Sequence, residues 1–331
     1  MKKTAIANSN IALVKYWGKR NDELILPYNS SISMTLDKLY TITTVEFSEK
    51  YDNFQVIIND KEATDNEYYR IVNHLNLIRQ QANISSFAKV ISTSNFPKKA
   101  GLASSASGFA ALTLAGSEAL GLTLSNKKLS ILARRGSGSA ARSILGGFVK
   151  WMKGSASDGS DSFAVPLVGK NHWPEISMIV TVVSSKEKKI SSRAGMKQTV
   201  KTSPLYKAWL DTIADDLKTV EQGIRDKDFT ELGPTIEKNA LKMHATMHTT
   251  TPPILYWQAE SLNLMKEVIA LREEDNIECY FTMDAGPQVK ILCLKKDIPL
   301  IKKRISEIQE LQDIFICHPG EGTKLIEEHL F

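Results

Sequence analysis

Cysteine is scarce in this 331-residue chain, which has only Cys279, Cys293 and Cys317, far apart and odd in number. That argues against a disulfide frame or a zinc site and for a reduced, cytoplasmic protein. Long apolar runs are missing too. No segment approaches the ~20 apolar residues of a membrane helix, so no membrane partner is expected. The N-terminal stretch "MKKTAIANSNIALVKYWGK" has a short apolar patch broken by Asn8, Ser9 and Asn10. No signal peptide is expected there. Low-complexity tails, repeats and long linkers are absent. Charge of one sign is not concentrated: 42 Lys+Arg stand against 37 Asp+Glu, a net +5. The excess suits an anionic small molecule as well as a polyanion, and equally a solvated basic surface. The basic residues are spread out and no recognition motif accompanies them, so nucleic acid is not an expected partner.

What is present is an ordinary globular composition, 42% apolar and 24% charged, long enough for one large or two medium domains. "LYTITTVEF" (39–47) and "FQVIIN" (54–59) alternate like strands. Thr64 and Glu67 have capping-box spacing ahead of a helix with Ile71, Leu75 and Ile78 on one face. "SFAKVISTSNF" reads as a strand, followed by a glycine-serine loop and a small-residue helix over about 105–120. Ser125 caps a further helix ended by Gly136, and "GGFVKWM" is a short strand. The second half opens on the buried strand "ISMIVTVVS" (176–184). It is largely helical from 203 to 272, with Pro204 near one helix start and Pro252–Pro253 beginning another. Strands "IECYFTM" and "QVKILCL" flank "DAGP", and a helix near "IPLIKKRISEIQEL" and a strand "DIFICH" close the chain. Strands and helices interleave without a β-α-β-α rhythm, which predicts an α+β protein of two lobes. The seam falls between about 170 and 190, giving lobes 1–180 and 181–331.

The stretch "PKKAGLASSASGF" (97–109) holds little that could fill a core. Gly101 lets a ligand approach the backbone. Ser104, Ser105 and Ser107 can cap a helix start and donate hydroxyl hydrogen bonds. A helix starting here aims its free N–H groups and positive dipole end at the loop, which suits phosphate. Lys98 and Lys99 add positive charge. Neither G-x-x-x-x-G-K-[ST] nor G-x-G-x-x-G is present. The alternative is a small-residue helix packed tightly under a neighbour. A second loop, "RRGSGSAARS" (134–143), has Ser137 and Ser139 hydroxyls between glycines, and Arg142 can grip a carboxylate or phosphate with two parallel hydrogen bonds. It reads equally well as a helix end followed by a surface turn.

Asp284 ends an apolar strand before a Gly-Pro turn. Such a carboxylate commonly satisfies turn N–H groups; it can also orient or deprotonate a substrate hydroxyl beside a transferred phosphate. The second role needs cations. Lys15, a mid-strand lysine among apolar residues, is a candidate, since such a lysine is unusual without a partner. "SSRAGM" (191–196) is either a helix N-cap in a charged loop or, through Ser192 and Arg193, a diphosphate clamp. His244 and His248 have i, i+4 spacing but no third ligand, so no metal site is expected there.

Several of these stretches resemble one family in its order along the chain. "NIALVKYWGKR", "LPYNSSISMTL", "GLASSASGFAAL", "ARRGSGSAARSILGGFVKW", "HWPE", "SSRAGM", "TSPLY", "HATMHTTTPPI" and "FTMDAGPQVKI", from about residue 8 to 290, are similar to the diphosphomevalonate decarboxylase family of the GHMP kinase superfamily. The resemblance implies a two-lobed α+β fold with the site between lobes. It implies ATP-dependent conversion of (R)-5-diphosphomevalonate to isopentenyl diphosphate, carbon dioxide, ADP and phosphate, with Mg2+ accompanying ATP.

By the same resemblance, Pro97, Gly101, Leu102, Ala103, Ser104, Ser105, Ala106 and Ser107 cradle the ATP phosphates. The base sits near Glu67 and Arg70. Asp284 and Lys15 are catalytic, and Arg142 holds the substrate carboxylate. Ser137 and Ser139 contact the substrate, while Tyr16, Lys19, Ser192 and Arg193 hold its diphosphate. A homodimer is expected from the family's habit. Related kinases of mevalonate or its phosphate, decarboxylases of the monophosphate, and a non-catalytic nucleotide- or RNA-binding protein on the same scaffold are the alternatives. Asp284, Lys15 and the Ser192–Arg193 pair favour the full reaction on the diphosphate.

Overall fold

The computed structural model describes residues 1–96, 104–184, 188–308 and 311–331. It is α+β, as the element order predicts. The first sheet is built on two long strands, Lys2–Val14 and Ser31–Ser48, paired antiparallel. Phe87–Ser94 lies on the other side of Ser31–Ser48, and Gln55–Ile58 adds in parallel. Phe148–Trp151 pairs with the start of Ser31–Ser48, and Ala164–Val168 pairs with it in turn. The late strand Lys324–Ile326 returns to pair with Lys2–Val14.

Helices Asp65–Ala82, Ser104–Ala119 and Asn126–Gly136 cover this sheet through a core that includes Val45, Val90, Leu75, Ala110, Ala111 and Leu132. The capping spacing at Thr64 is used: Glu67 Oε2 accepts from the Thr64 backbone N–H at 3.1 Å. The helix Ser104–Ala119 is buried along most of its length. Its small side chains let it lie close to its neighbours, and a Cβ on Gly116 would stand 2.9 Å from Ile78. Tight packing along this helix therefore leaves its N-terminus open, where Ser105 is exposed.

The second sheet runs Cys279–Met283, Val289–Leu294, Ile176–Val182, Asp313–Cys317, antiparallel throughout. Ile176–Val182, which straddles residue 180, belongs wholly to it. Both faces of this sheet are covered, so its strands are mostly apolar, with Ser177, Thr181, Thr282 and Lys290 as buried polar exceptions. Met178, Val180 and Val182 face the core shared with helices Ile213–Asp226 and Phe229–His248. Ile179, Ile291 and Cys293 face helices Ala259–Glu273 and Ile298–Ile305. Two-residue periodicity thus sends alternate apolar side chains to one of two cores.

The expected helix start at Pro252–Pro253 is displaced: the helix begins at Ala259 behind Gln258. Residues 250–256 instead tuck back against the preceding helix. Ile254 N–H donates to Met247 O at 3.0 Å, Thr250 Oγ1 donates to Pro252 O at 2.7 Å, and Ile254 and Tyr256 are buried.

Candidate active site

A cleft of about 440 Å³ opens between the first sheet's helices and the second lobe. Strand ends and helix starts deliver its side chains. Lys15 and Tyr16 follow the strand Lys2–Val14, so Lys15 stands one residue past the strand rather than within it. Its backbone is fixed on both sides: Lys15 N–H donates to Asn239 Oδ1 and Asn29 Nδ2 donates to Lys15 O, each at 2.8 Å. The chain then turns through Gly18, whose φ is +94°. A Cβ there would meet the Tyr206 hydroxyl at 2.0 Å, and that hydroxyl donates to Trp17 O. Glycine is required on both counts. Lys19 begins a short hairpin and pairs with Asp22.

Asp284 enters from the end of Cys279–Met283 and is 26% exposed. The Lys15 ammonium, only 1% exposed, donates to its Oδ1 at 2.9 Å and to Ala12 O at 2.7 Å. Lys290, fully buried, stands 3.5 Å from Oδ2. Burial pushes the Asp284 carboxyl up, but Lys15, Lys290 and Arg142 outweigh it and hold it well below the usual carboxylate range. The same burial lowers Lys15 to about 8, with Asp284 opposing the drop.

Arg142 is buried in the short helix Ala140–Ser143. Its Nη1 donates to Ser31 Oγ at 2.6 Å and its Nε to Asn10 Oδ1 at 3.1 Å. Both partners are neutral, and among the described residues no carboxylate lies in ion-pair range of this guanidinium. A buried cation held only by neutral groups is prepared for an anion. Burial draws it down only to about 10, so it stays charged at neutral pH.

The hydroxyls gather beside it. Ser105 Oγ is 3.3 Å from Ser137 Oγ, which is 3.4 Å from Ser139 Oγ. Gly138 packs against Tyr16, where a Cβ would stand 2.8 Å from the ring. Tyr16 lies edge-on to Trp151, centroids 4.7 Å apart. Burial pushes its phenol far up, so it remains a hydrogen-bond donor. Ser191 caps the helix Ser192–Thr202, accepting from Ala194 N–H at 3.3 Å, and Ser192 and Arg193 in its first turn line the cleft. Arg193 Nη2 donates to Gly136 O at 2.9 Å and Arg70 Nη2 to the same carbonyl at 3.4 Å. The two arginines thus meet, from opposite lobes, at the C-terminal end of Asn126–Gly136.

Lys15, Tyr16, Lys19, Glu67, Arg70, Ser104, Ser105, Ser137, Ser139, Arg142, Ser192, Arg193 and Asp284 all line this one cleft. Ala106 and Ser107 lie beneath it. Ser107 is fully buried, 2.8 Å from Thr41 Oγ1 and 3.2 Å from Ser9 Oγ, so it braces the helix start from below. Pro97, Gly101, Leu102 and Ala103 fall outside the described residues. His244 and His248 pack around Trp257, with ring centroids 5.2 and 4.6 Å from it. Burial lowers His244 to about 3, so it stays neutral.

Sequence reasoning missed four contributors. Lys290 is a lysine in an apolar strand, the very signal that singles out Lys15. Lys188, whose ammonium donates to Ser192 Oγ at 2.8 Å and Ala285 O at 2.6 Å, was hidden in a run of charges. Asn239 and Asn29 act by clamping the Lys15 backbone, which no local pattern reveals.

Among the described residues no group of three His, Cys, Asp or Glu could hold a metal. Magnesium seldom needs a protein cage and takes most of its oxygens from phosphates and water. A hydroxyl-rich helix start beside Ser104 and Ser105 fits a magnesium carried in on a nucleotide.

Known proteins match this chain over both lobes. Residues 7–164 match the diphosphomevalonate decarboxylase-like N-terminal domain and residues 178–323 the mevalonate 5-diphosphate decarboxylase C-terminal domain. The diphosphomevalonate decarboxylase of Ganoderma lucidum is 36% identical over 345 residues, covering 97% of this chain and 86% of the relative. The human enzyme is 37% identical over 309 residues, covering 88% and 76%. A solved mevalonate diphosphate decarboxylase from Enterococcus faecalis superposes with a TM-score of 0.91 at 46% identity, over 99% of each chain. A structure described as MDDEF in complex with MVAPP, AMPPCP and magnesium superposes at 0.92 with 47% identity, again over 99% of each chain. The chain belongs to the diphosphomevalonate decarboxylase family.

Proposed function

We propose that Asp284, Lys15 and Arg142 carry the chemistry by which this enzyme converts (R)-5-diphosphomevalonate and ATP to isopentenyl diphosphate, carbon dioxide, ADP and phosphate. The N-terminus of Ser104–Ala119, with Ser104 and Ser105, receives the ATP phosphates, where free N–H groups and the helix dipole favour anions. The base lies toward Glu67 and Arg70. Magnesium arriving with the nucleotide would be held near Ser104 and Ser105 and would supply neutralisation of phosphate charge there. Arg142 grips the substrate carboxylate with its planar fork, supported by Ser137 and Ser139. Tyr16, Lys19, Ser192 and Arg193 take the diphosphate.

A tertiary alcohol is a poor leaving group. Asp284 accepts a hydrogen bond from the 3-hydroxyl and aims its oxygen at the γ-phosphorus. The O–P bond forms as the bond from the γ-phosphorus to the bridging oxygen of ADP breaks and ADP takes that electron pair, while the hydroxyl proton passes by way of the Asp284 carboxylate to solvent. Because its carboxyl is held so far down, Asp284 is a weak base and works chiefly as a placed negative charge. When the phosphorylated oxygen departs with its bonding pair, positive charge builds on the tertiary carbon beside that carboxylate. The bond to the substrate carboxylate then breaks. Its electrons form the double bond and carbon dioxide leaves.

The observation that carries this reading is Asp284 set between Lys15 and Lys290 in the same cleft as the unneutralised Arg142. Incubation with ATP and, separately, mevalonate, its 5-phosphate and its 5-diphosphate tests it. Carbon dioxide and ADP in equal amounts are expected from the diphosphate. ADP without carbon dioxide would make the protein a kinase, and carbon dioxide from the monophosphate alone would shift the substrate. The lobes are taken to divide near the early edge of the 170–190 seam. Three unpaired, buried cysteines support a cytoplasmic setting, and the family habit supports a homodimer; light scattering on the purified protein reads the latter.

A further inference from the structure

Lys290 occupies a position where the fold asks for an apolar side chain. Its strand Val289–Leu294 is interior to the second sheet, with Cys279–Met283 on one side and Ile176–Val182 on the other. Lys290 pairs with Thr282 and Val180 across the two ladders. It is fully buried, and its alternation partner Leu292 belongs to the main core. A lysine there is costly without a partner, and replacing a buried ion pair by apolar residues is often neutral or stabilising. Stability alone therefore does not account for it.

What the side chain reaches does account for it. Its ammonium donates to Gln288 O at 3.2 Å and lies 3.5 Å from Oδ2 of Asp284, while Lys15 takes Oδ1 at 2.9 Å. Gln288 in turn ties this turn to the neighbouring strand end: its Oε1 accepts from Val183 N–H and its Nε2 donates to Ser184 O, each at 2.5 Å. We propose that Lys290 is a positioning residue for the decarboxylation, fixing the rotation of the Asp284 carboxylate from the second lobe as Lys15 fixes it from the first. This rests on the reading that Asp284 acts in the reaction.

Among the described residues, the charged and titratable groups facing Asp284 are Lys15, Lys290, Arg142, Lys188 and His244. Burial lowers both Lys15 and Lys188 to about 8, and the Lys290 charge adds to that lowering in each. Removing Lys290 therefore lets both hold their protons to higher pH.

Lys290→Met keeps the length and suits the core. The expected results are a kcat lower by on the order of 10- to 100-fold, KM for ATP and diphosphomevalonate changed by less than about threefold, and an alkaline limb of the kcat/KM profile moved up by about half a unit or more. Thermal unfolding and nucleotide affinity, measured alongside, report the fold. Lys290→Gln is expected to show the same two kinetic changes and serves if the methionine variant does not fold. A folded variant with wild-type kcat and an unmoved alkaline limb overturns the proposal. A wild-type enzyme that releases no carbon dioxide would instead overturn the functional reading beneath it.

Discussion

The ammonium of Lys15 stands 2.9 Å from Oδ1 of Asp284, across 269 positions of sequence and from one lobe to the other. The pair joins the end of the first strand to the end of a strand in the second sheet, so the proposed catalytic pair exists only when both lobes are folded and docked. Several distant elements converge on the same point: Asn239 and Asn29 hold the Lys15 backbone, Lys290 approaches from behind Asp284, and Arg142 adds its charge.

Arg142→Lys should be severely impaired, on the order of 100-fold or more in kcat/KM for diphosphomevalonate. A lysine cannot hold Ser31 and Asn10 while presenting two parallel donors to a carboxylate. The KM for ATP should change little. Steady-state kinetics with each substrate varied in turn check both; a variant within threefold of wild type would remove the carboxylate clamp from Arg142.

The kcat/KM profile, which reports the free enzyme, should fall on its alkaline side with an apparent pKa near 8. Burial brings Lys15 and Lys188 down to about 8. Below that pH both ammonium groups are charged and Lys15 pairs with Asp284. Above it the charge is lost, so activity declines as pH rises, approaching about tenfold per unit. A profile between pH 6 and 10 reads this, and activity level through pH 9.5 would contradict it.

Gly138→Ala should act through Tyr16. The added Cβ would sit 2.8 Å from the ring, and Tyr16 is backed by Trp151, so the ring has to move. The KM for diphosphomevalonate is expected to rise roughly tenfold, with a stability loss of about 1–3 kcal/mol. Calorimetry with kinetics on one preparation measures both.

Asn239→Ala should leave the buried Lys15 N–H without an acceptor, and should also strip Asp216 Oδ2 of a donor at 2.6 Å. A cost of about 1–3 kcal/mol follows, with kcat falling because Lys15 is no longer held. Denaturant unfolding and activity assays report the two effects separately; equal stability would show that the contact contributes nothing.

Much of this molecule was legible in one dimension. Alternating β-branched runs, the Thr64–Glu67 cap, the Ser125 cap and the Ser191 cap gave elements close to those observed, because each signal is local. The glycine-serine stretches marked the cleft because ligand approach needs small residues and free hydroxyls. The missed parts are the non-local ones. The return of Lys324–Ile326 to Lys2–Val14 depends on a register that no window shows. Ser107 reads as a phosphate ligand in sequence but is turned inward, because Thr41 and Ser9 lie beneath the helix start. Pro252 and Pro253 resemble a helix start, yet Ile254 is buried and bonded back to Met247, which delays the helix to Ala259.

The most direct test is a single turnover of Asp284→Asn, with the enzyme in excess over diphosphomevalonate and saturating ATP, followed by quenched flow for ADP and carbon dioxide. The side chain keeps its shape and loses its charge. Both substrates should bind within about threefold of wild type while the chemical step slows by at least about 1,000-fold, since the charge is needed at the transition state. Release of ADP and carbon dioxide at a rate near that of wild type would contradict the account.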